Sequence, residues 1–130
     1  MPSSVTHFEI FAEDPAPLAD FYRRLFGWRI EQAPGIDYYV IDTGADATPG
    51  IGGGLTVRPI PEPRSWVHYV SVASIDDALA RVVALGGSVL RDKTAVPKTA
   101  WYAVAADPQY NVFALWQPDP HAFPYLRPEL

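Results

Sequence analysis

The chain has 130 residues, of which 48% are hydrophobic and 19% charged. That is enough apolar material for one compact domain or two fused half-domains, and it excludes a wholly disordered chain. Asp and Glu number 15 against 10 Lys and Arg, a net charge of -5, which lacks the basic footprint of a general nucleic-acid or anionic-membrane binder. Cysteine is absent, so disulfides, thiolate metal centres and thiol nucleophiles are excluded. The first residues carry neither a basic n-region nor a long apolar h-region, and no apolar run approaches the roughly 20 residues of a membrane span. The expectation is a cytoplasmic protein.

In chain order, Val5 to Phe11 reads as a strand, rich in aromatic and β-branched residues. Asp14-Pro15-Ala16-Pro17 then opens a helix, with an acidic cap followed by prolines tolerated in the first turn. Leu18, Phe21, Tyr22, Leu25 and Phe26 recur at helical spacing, and Gly27 stops the helix. Strands are expected over 28–32, 38–43 and 51–57. A proline-rich linker follows over 58–64, stiff and extended. The second half predicts a strand over 66–73, a helix opened by Ser74 and stopped by Gly86-Gly87, and strands over 88–91, 100–105 and 111–117. A proline-rich tail, 118–130, carries His121, Phe123 and Tyr125 and suits neither a helix nor a central strand. It is a candidate to lie across a partner subunit or the mouth of a binding site.

The halves overlay. His7 falls on His68 and Leu18 on Leu79, at an offset of 61, whereas Gly54-Leu55 falls on Ala114-Leu115, at an offset of 60. The expected fold class is α+β: two pseudo-symmetric βαβββ modules, 5–57 and 65–117, forming a cupped mixed sheet with helices on the outer face.

This arrangement resembles the vicinal oxygen chelate superfamily of glyoxalases, bleomycin resistance proteins and extradiol dioxygenases. His7, Asp20-Phe21-Tyr22 and Leu25-Phe26-Gly27-Trp28 carry the resemblance in the first half. His68-Tyr69-Val70-Ser71-Val72, Leu85-Gly86-Gly87, Asp107-Pro108 and Asn111-Val112-Phe113-Ala114-Leu115 carry it in the second. The resemblance implies a homodimer and a ligand site in the cup. It also implies metal-ligand positions at His7, Gly54, His68 and Ala114. Gly54 and Ala114 have no donor atoms, so half of that coordination shell is missing, whereas hard divalent ions require oxygen ligands and zinc commonly three or four protein ligands. No cofactor is therefore expected. A divalent metal on His7 and His68, helped by Glu9, is the alternative.

Period-2 alternation places Glu9 and Phe11 on the same face as His7, and Phe8 and Ile10 under the first helix. Alternation from His68 brings in Trp66, Val70 and Val72; alternation from Ala114 brings in Val112 and Trp116. Within the pairs Tyr38/Tyr39 and Trp101/Tyr102, alternation leaves open which ring points inward. The expected ligand-binding residues are thus His7, Glu9, Trp66, His68 and Trp116, around a small, partly aromatic organic molecule, with Glu9 a candidate base. Two further readings stand beside this one: a metal-dependent lyase, isomerase or dioxygenase using His7, His68 and Glu9, and an interaction protein whose cup is filled by its own rings. The Gly50 to Gly54 run lacks the Lys-Ser/Thr ending of a phosphate loop. Tyr110 stands in an Asp107-to-Asn111 turn, where a positive φ would strain it.

Overall fold

A computed structural model describes residues 3–44, 50–57 and 65–124. The expected linker over 58–64, residues 45–49 and the tail's Tyr125 lie outside them. The described residues form eight strands and two helices, an α+β fold. Contacts divide the chain into two compact units, one of Thr6–His68 and the other of the described residues up to Val5 together with those from Tyr69.

The first unit runs β1 (Val5–Ala12), α1 (Pro15–Phe26), β2 (Arg29–Gln32), β3 (Tyr38–Asp42) and β4 (Gly52–Val57). Its strands lie in the order β2-β3-β4-β1, with β1 parallel to β4 and the other pairs antiparallel. Pro15 and Pro17 sit in the first turn of α1, where a missing N–H costs nothing. At the other end Gly27 adopts φ 70°, and its N–H closes onto the Arg23 carbonyl at 2.9 Å, a left-handed stop that suits glycine. Phe8, Ile10, Ala12, Ile30, Tyr39, Ile41 and Leu55 form the core with Ala19, and Leu18 and Tyr22 of α1 pack on it. Phe21, Leu25 and Phe26, on the same helical recurrence, are more than half exposed.

The chain then runs β5 (Trp66–Ser71), α2 (Ile75–Ala84), β6 (Ser88–Val96), β7 (Ala100–Ala106) and β8 (Val112–Pro118), with the order β5-β8-β7-β6. Here β5 and β8 are parallel, and β8, β7 and β6 antiparallel. Ser74 caps α2, its Oγ accepting the Asp77 N–H at 3.1 Å, and the Gln117 side chain accepts the Ile75 N–H at 2.9 Å. Ile75, Ala103 and Leu115 form the second core, with Val70, Val72, Ala78, Leu79, Trp101 and Phe113 packed against it.

Strand β6 is longer than the sequence pattern predicts, because register shifts on both sides of Arg91 break its alternation. The turn at Asp107 has the strain foreseen for it: Tyr110 sits at φ 64°, held by its N–H to the Asp107 carbonyl at 2.9 Å. The Asp107 carboxylate accepts the backbone N–H groups of Gln109 and Asn111. Those bonds, led by the ones from Asn111, hold its pKa below the usual carboxylate value. The start of the tail is fastened rather than loose. Asp119 accepts the Trp101 indole N–H at 2.9 Å, Ala122 is fully buried, and the Ala122 carbonyl accepts the N–H of Lys98, itself at φ 61°.

Candidate functional site

Each unit has one strand face covered by its helix and one that is not. In β1, Phe8, Ile10 and Ala12 belong to the helix-side core, so alternation puts His7, Glu9 and Phe11 on the helix-free face. His7 is half-buried, and that burial lowers its pKa from the ordinary 6.5, favouring the neutral imidazole. Thr6 Oγ1 lies 2.9 Å from His7 Nδ1.

The ambiguous tyrosine pair resolves here. Tyr39 lies in the core beneath α1, so Tyr38 takes the helix-free face. Register pairs Glu9 with Gly54 across β1 and β4, and Tyr38 with Thr56 across β3 and β4, leaving Tyr38 diagonal to Gly54 and long enough to reach over it. The Tyr38 phenol lies over Gly54 and donates to Glu9 Oε2 at 2.9 Å. A Cβ at position 54 would overlap Tyr38 Oη and Cζ and come within 2.9 Å of Cε1. Glycine at 54 is therefore the socket of the Tyr38 ring. Burial, then the negative charge of Glu9 and its hydrogen bond, drive the Tyr38 pKa far above 10, so the phenol keeps its proton and remains the donor.

Strand β5 departs from expectation. Val70 and Val72 pack against the core that holds Ala78 and Leu79 of α2, so the even-numbered residues of the strand, His68 and Trp66 among them, take the helix-side face. His68 is exposed. Trp66 stacks on Phe8 with ring centroids 5.2 Å apart, meets the rings of Tyr22 and Trp28 and donates its indole N–H to the Tyr22 hydroxyl at 3.3 Å. It belongs to an aromatic cluster beside α1, not to the face of His7 and Glu9. The register gives the reason: Glu9 pairs with Gly54 and Tyr69 with Ala114, an offset of 60 in both members (9 to 69, 54 to 114). The helix caps Asp14 and Ser74 have the same spacing. At that offset His68 corresponds to Phe8, and a one-residue slip reverses a strand's faces.

Trp116 keeps its expected side. Phe113 and Leu115 pack toward α2, and Trp116 meets the Tyr69 ring edge-on at 5.9 Å on the helix-free face. Trp101 lies helix-side, under Lys93 at 4.7 Å. Its neighbour Tyr102 therefore takes the helix-free face, where the Arg91 guanidinium stands 5.7 Å from its ring. Alternation could not have found Arg91 on that face, because the irregular register around it breaks the pattern.

The candidate donors are spread apart rather than gathered. His7 and Glu9 share a face, His68 turns to the helix side of its own strand, Gly54 and Ala114 offer no donors, and the Tyr38 phenol already holds Glu9. Among the described residues, no three His, Asp or Glu side chains gather where an ion could be held. Nor is any helix among them long and apolar enough to cross a membrane.

Comparison with known proteins agrees with this architecture. The chain is 31% identical over 116 residues to the Mycobacterium tuberculosis protein named "Putative glyoxylase CFP32", an overlap of 86% of this chain and 43% of that one. It is 28% identical over 134 residues to the "Anthracycline biosynthesis protein DauV" of Streptomyces sp. (strain C5), covering 89% of this chain and 47% of that one. The chain thus spans about half the length of the curated relatives it matches. A glyoxalase/bleomycin resistance protein/dioxygenase superfamily member from Vibrio splendidus shares the fold at 15% identity and a TM-score of 0.60, over 90% of this chain and 99% of that one. The family model described as a glyoxalase-like domain matches residues 7–116, from the first strand through the Trp116 that faces Tyr69, and the chain belongs to that glyoxalase-like family.

Proposed function

We propose that the chain binds a small organic molecule of aromatic character on the helix-free face that carries Glu9 and Tyr38, and that it does so without a catalytic metal. The observation that carries this reading is the Tyr38 phenol seated over Gly54 and donating to Glu9. In metal-bearing relatives, the corner corresponding to Gly54 would supply a ligand. Here a ring fills it, and that ring satisfies the nearest carboxylate. With His7 kept neutral by burial, the face sets an imidazole and a carboxylate around the Tyr38 ring and its phenol. This mixture of flat apolar surface and few polar groups suits an organic ligand. One relative is named for anthracycline biosynthesis, and an anthracycline is a flat polycyclic aromatic, which supports the ligand class. A homodimer is part of the proposal, because two copies would supply the length of one such relative.

Two measurements test it. Titration with nickel, zinc, manganese and ferrous iron is expected to show no stoichiometric tight binding. A tight one-to-one complex lost in His7→Ala would overturn the metal-free reading. A screen of aromatic and heterocyclic compounds by intrinsic tryptophan fluorescence is expected to return saturable ligands that Tyr38→Phe weakens. Silence across that screen would refute ligand binding and favour an interaction protein.

A further inference from the structure

The helix-free face of the second unit carries a charged group, Arg91, whose Nε has no hydrogen-bond acceptor among the described residues. Arg91 lies on β6 opposite Val104 of β7, and the register shifts on both sides of it, between Val89 and Arg91 and between Arg91 and Thr94. Such irregularities re-aim a side chain and occur preferentially beside functional sites. Here they deliver the guanidinium to within 5.7 Å of the Tyr102 ring centroid. Among the described residues, Arg91 Nε is the buried side-chain nitrogen left without a hydrogen-bond acceptor, and no carboxylate among them forms an ion pair with Arg91. A buried donor without an acceptor is costly, and a ring face leaves the in-plane N–H groups of a guanidinium unspent. Next to it, Tyr102 pairs in register with Trp116, which meets the Tyr69 ring edge-on. The other nearby cation, Lys93, is committed to Asp76 at 3.0 Å and to the Trp101 ring on the helix side.

We infer that this face is a binding site for the carboxylate of a planar aromatic acid: the Arg91 fork takes the carboxylate, and Tyr102 and Trp116 take the flat body. A guanidinium matches a carboxylate in two parallel hydrogen bonds. The single guanidinium at this site balances a monoanion, whereas a phosphate dianion would be left with excess charge. The site is built within the second unit and stands independently of the reading of Glu9 and Tyr38.

The test uses the full chain and 2-naphthoate, with 2-naphthamide as the uncharged analogue and 2-naphthyl phosphate as the dianion, followed by calorimetry and tryptophan fluorescence. The expected result is saturable binding of naphthoate, at least about tenfold stronger than that of the amide or the phosphate ester. Arg91→Gln should abolish the preference for naphthoate, and Arg91→Lys should recover only part of it because the fork is lost. Without ligand, Arg91→Met should melt no lower than the parent protein, since it removes an unsatisfied donor while keeping an apolar stem. The inference is overturned if naphthoate does not bind, if the amide or the phosphate ester binds as well, or if Arg91→Gln retains the preference. A marked loss of stability in Arg91→Met, or its failure to fold, would also overturn it by making Arg91 a structural residue.

Discussion

Replacing Gly54 by alanine tests the central contact of the first unit directly. The new Cβ would occupy the space of the Tyr38 phenol, so the ring must be pushed aside and its bond to Glu9 broken. Overpacking of this kind costs about 1–3 kcal/mol, and a lost hydrogen bond to a charged acceptor about 1.5–3 kcal/mol. The two overlap, because one displacement causes both, so about 2–3 kcal/mol is expected. In a Tyr38→Ala background the obstruction is gone and only the backbone preference remains. Alanine then improves on glycine in a strand by about 0.5–1 kcal/mol, and the sign of the effect reverses. The coupling between the positions is therefore about 3 kcal/mol, at the upper end for touching residues. Urea unfolding followed by tryptophan fluorescence measures all four corners of the cycle. With a slope of roughly 2 kcal/mol/M, the Gly54→Ala midpoint falls by about 1 M. Equal effects in the two backgrounds, or a neutral Gly54→Ala in the parent, would refute the placement of the ring.

Three further outcomes follow from the same structure. Burial lowers the His7 pKa below 6.5, so between the two pKa values the unfolded state binds more protons and stability rises with pH. Thermal melts between about pH 5 and about pH 7 should lose that component of their slope in His7→Gln, and an unchanged slope would contradict it. Tyr110 holds φ 64° and is 61% exposed, so Tyr110→Gly relieves about 1 kcal/mol of left-handed strain against a smaller unfolded-state entropy cost. A rise of about 2 °C in Tm is expected, and a fall would mean the ring makes a contact that matters. Ser74→Ala removes the cap on α2 and should cost about 1 kcal/mol in urea melts; a neutral result would show the Gln117 bond to Ile75 to be sufficient.

The order of elements was legible because prolines and glycines punctuate the chain and the periodicity changes between them. The faces were legible in β1 and β8, where Phe8 and Ile10 alternate with His7 and Glu9, and Phe113 and Leu115 with Trp116. They were misread in β5 because the two histidines suggested an offset of 61, while the caps Asp14 and Ser74 and the pair Gly54 and Ala114 lie 60 apart. A slip of one residue is small in sequence but reverses a strand, and it moved His68 and Trp66 to the helix side. Adjacent rings such as Tyr38 and Tyr39 give alternation nothing to choose between. The signal that could have decided was Gly54, a position with room for a diagonal ring only if its own side chain is absent. Arg91 escaped notice because β6 is irregular on both sides of it, so no period-2 pattern carries through that position.

The bond from Lys98 to Ala122 has a practical consequence for handling the protein. The hairpin between β6 and β7 turns through a residue with left-handed backbone, and the amide of that residue is secured by the Ala122 carbonyl in the segment after β8. Clasp and hairpin should open together, so deuterium uptake at the Lys98 amide becomes a local gauge of whether the clasp is shut. An affinity tag fused directly after Pro118 would remove the clasp, whereas one placed beyond Pro124 would leave it closed.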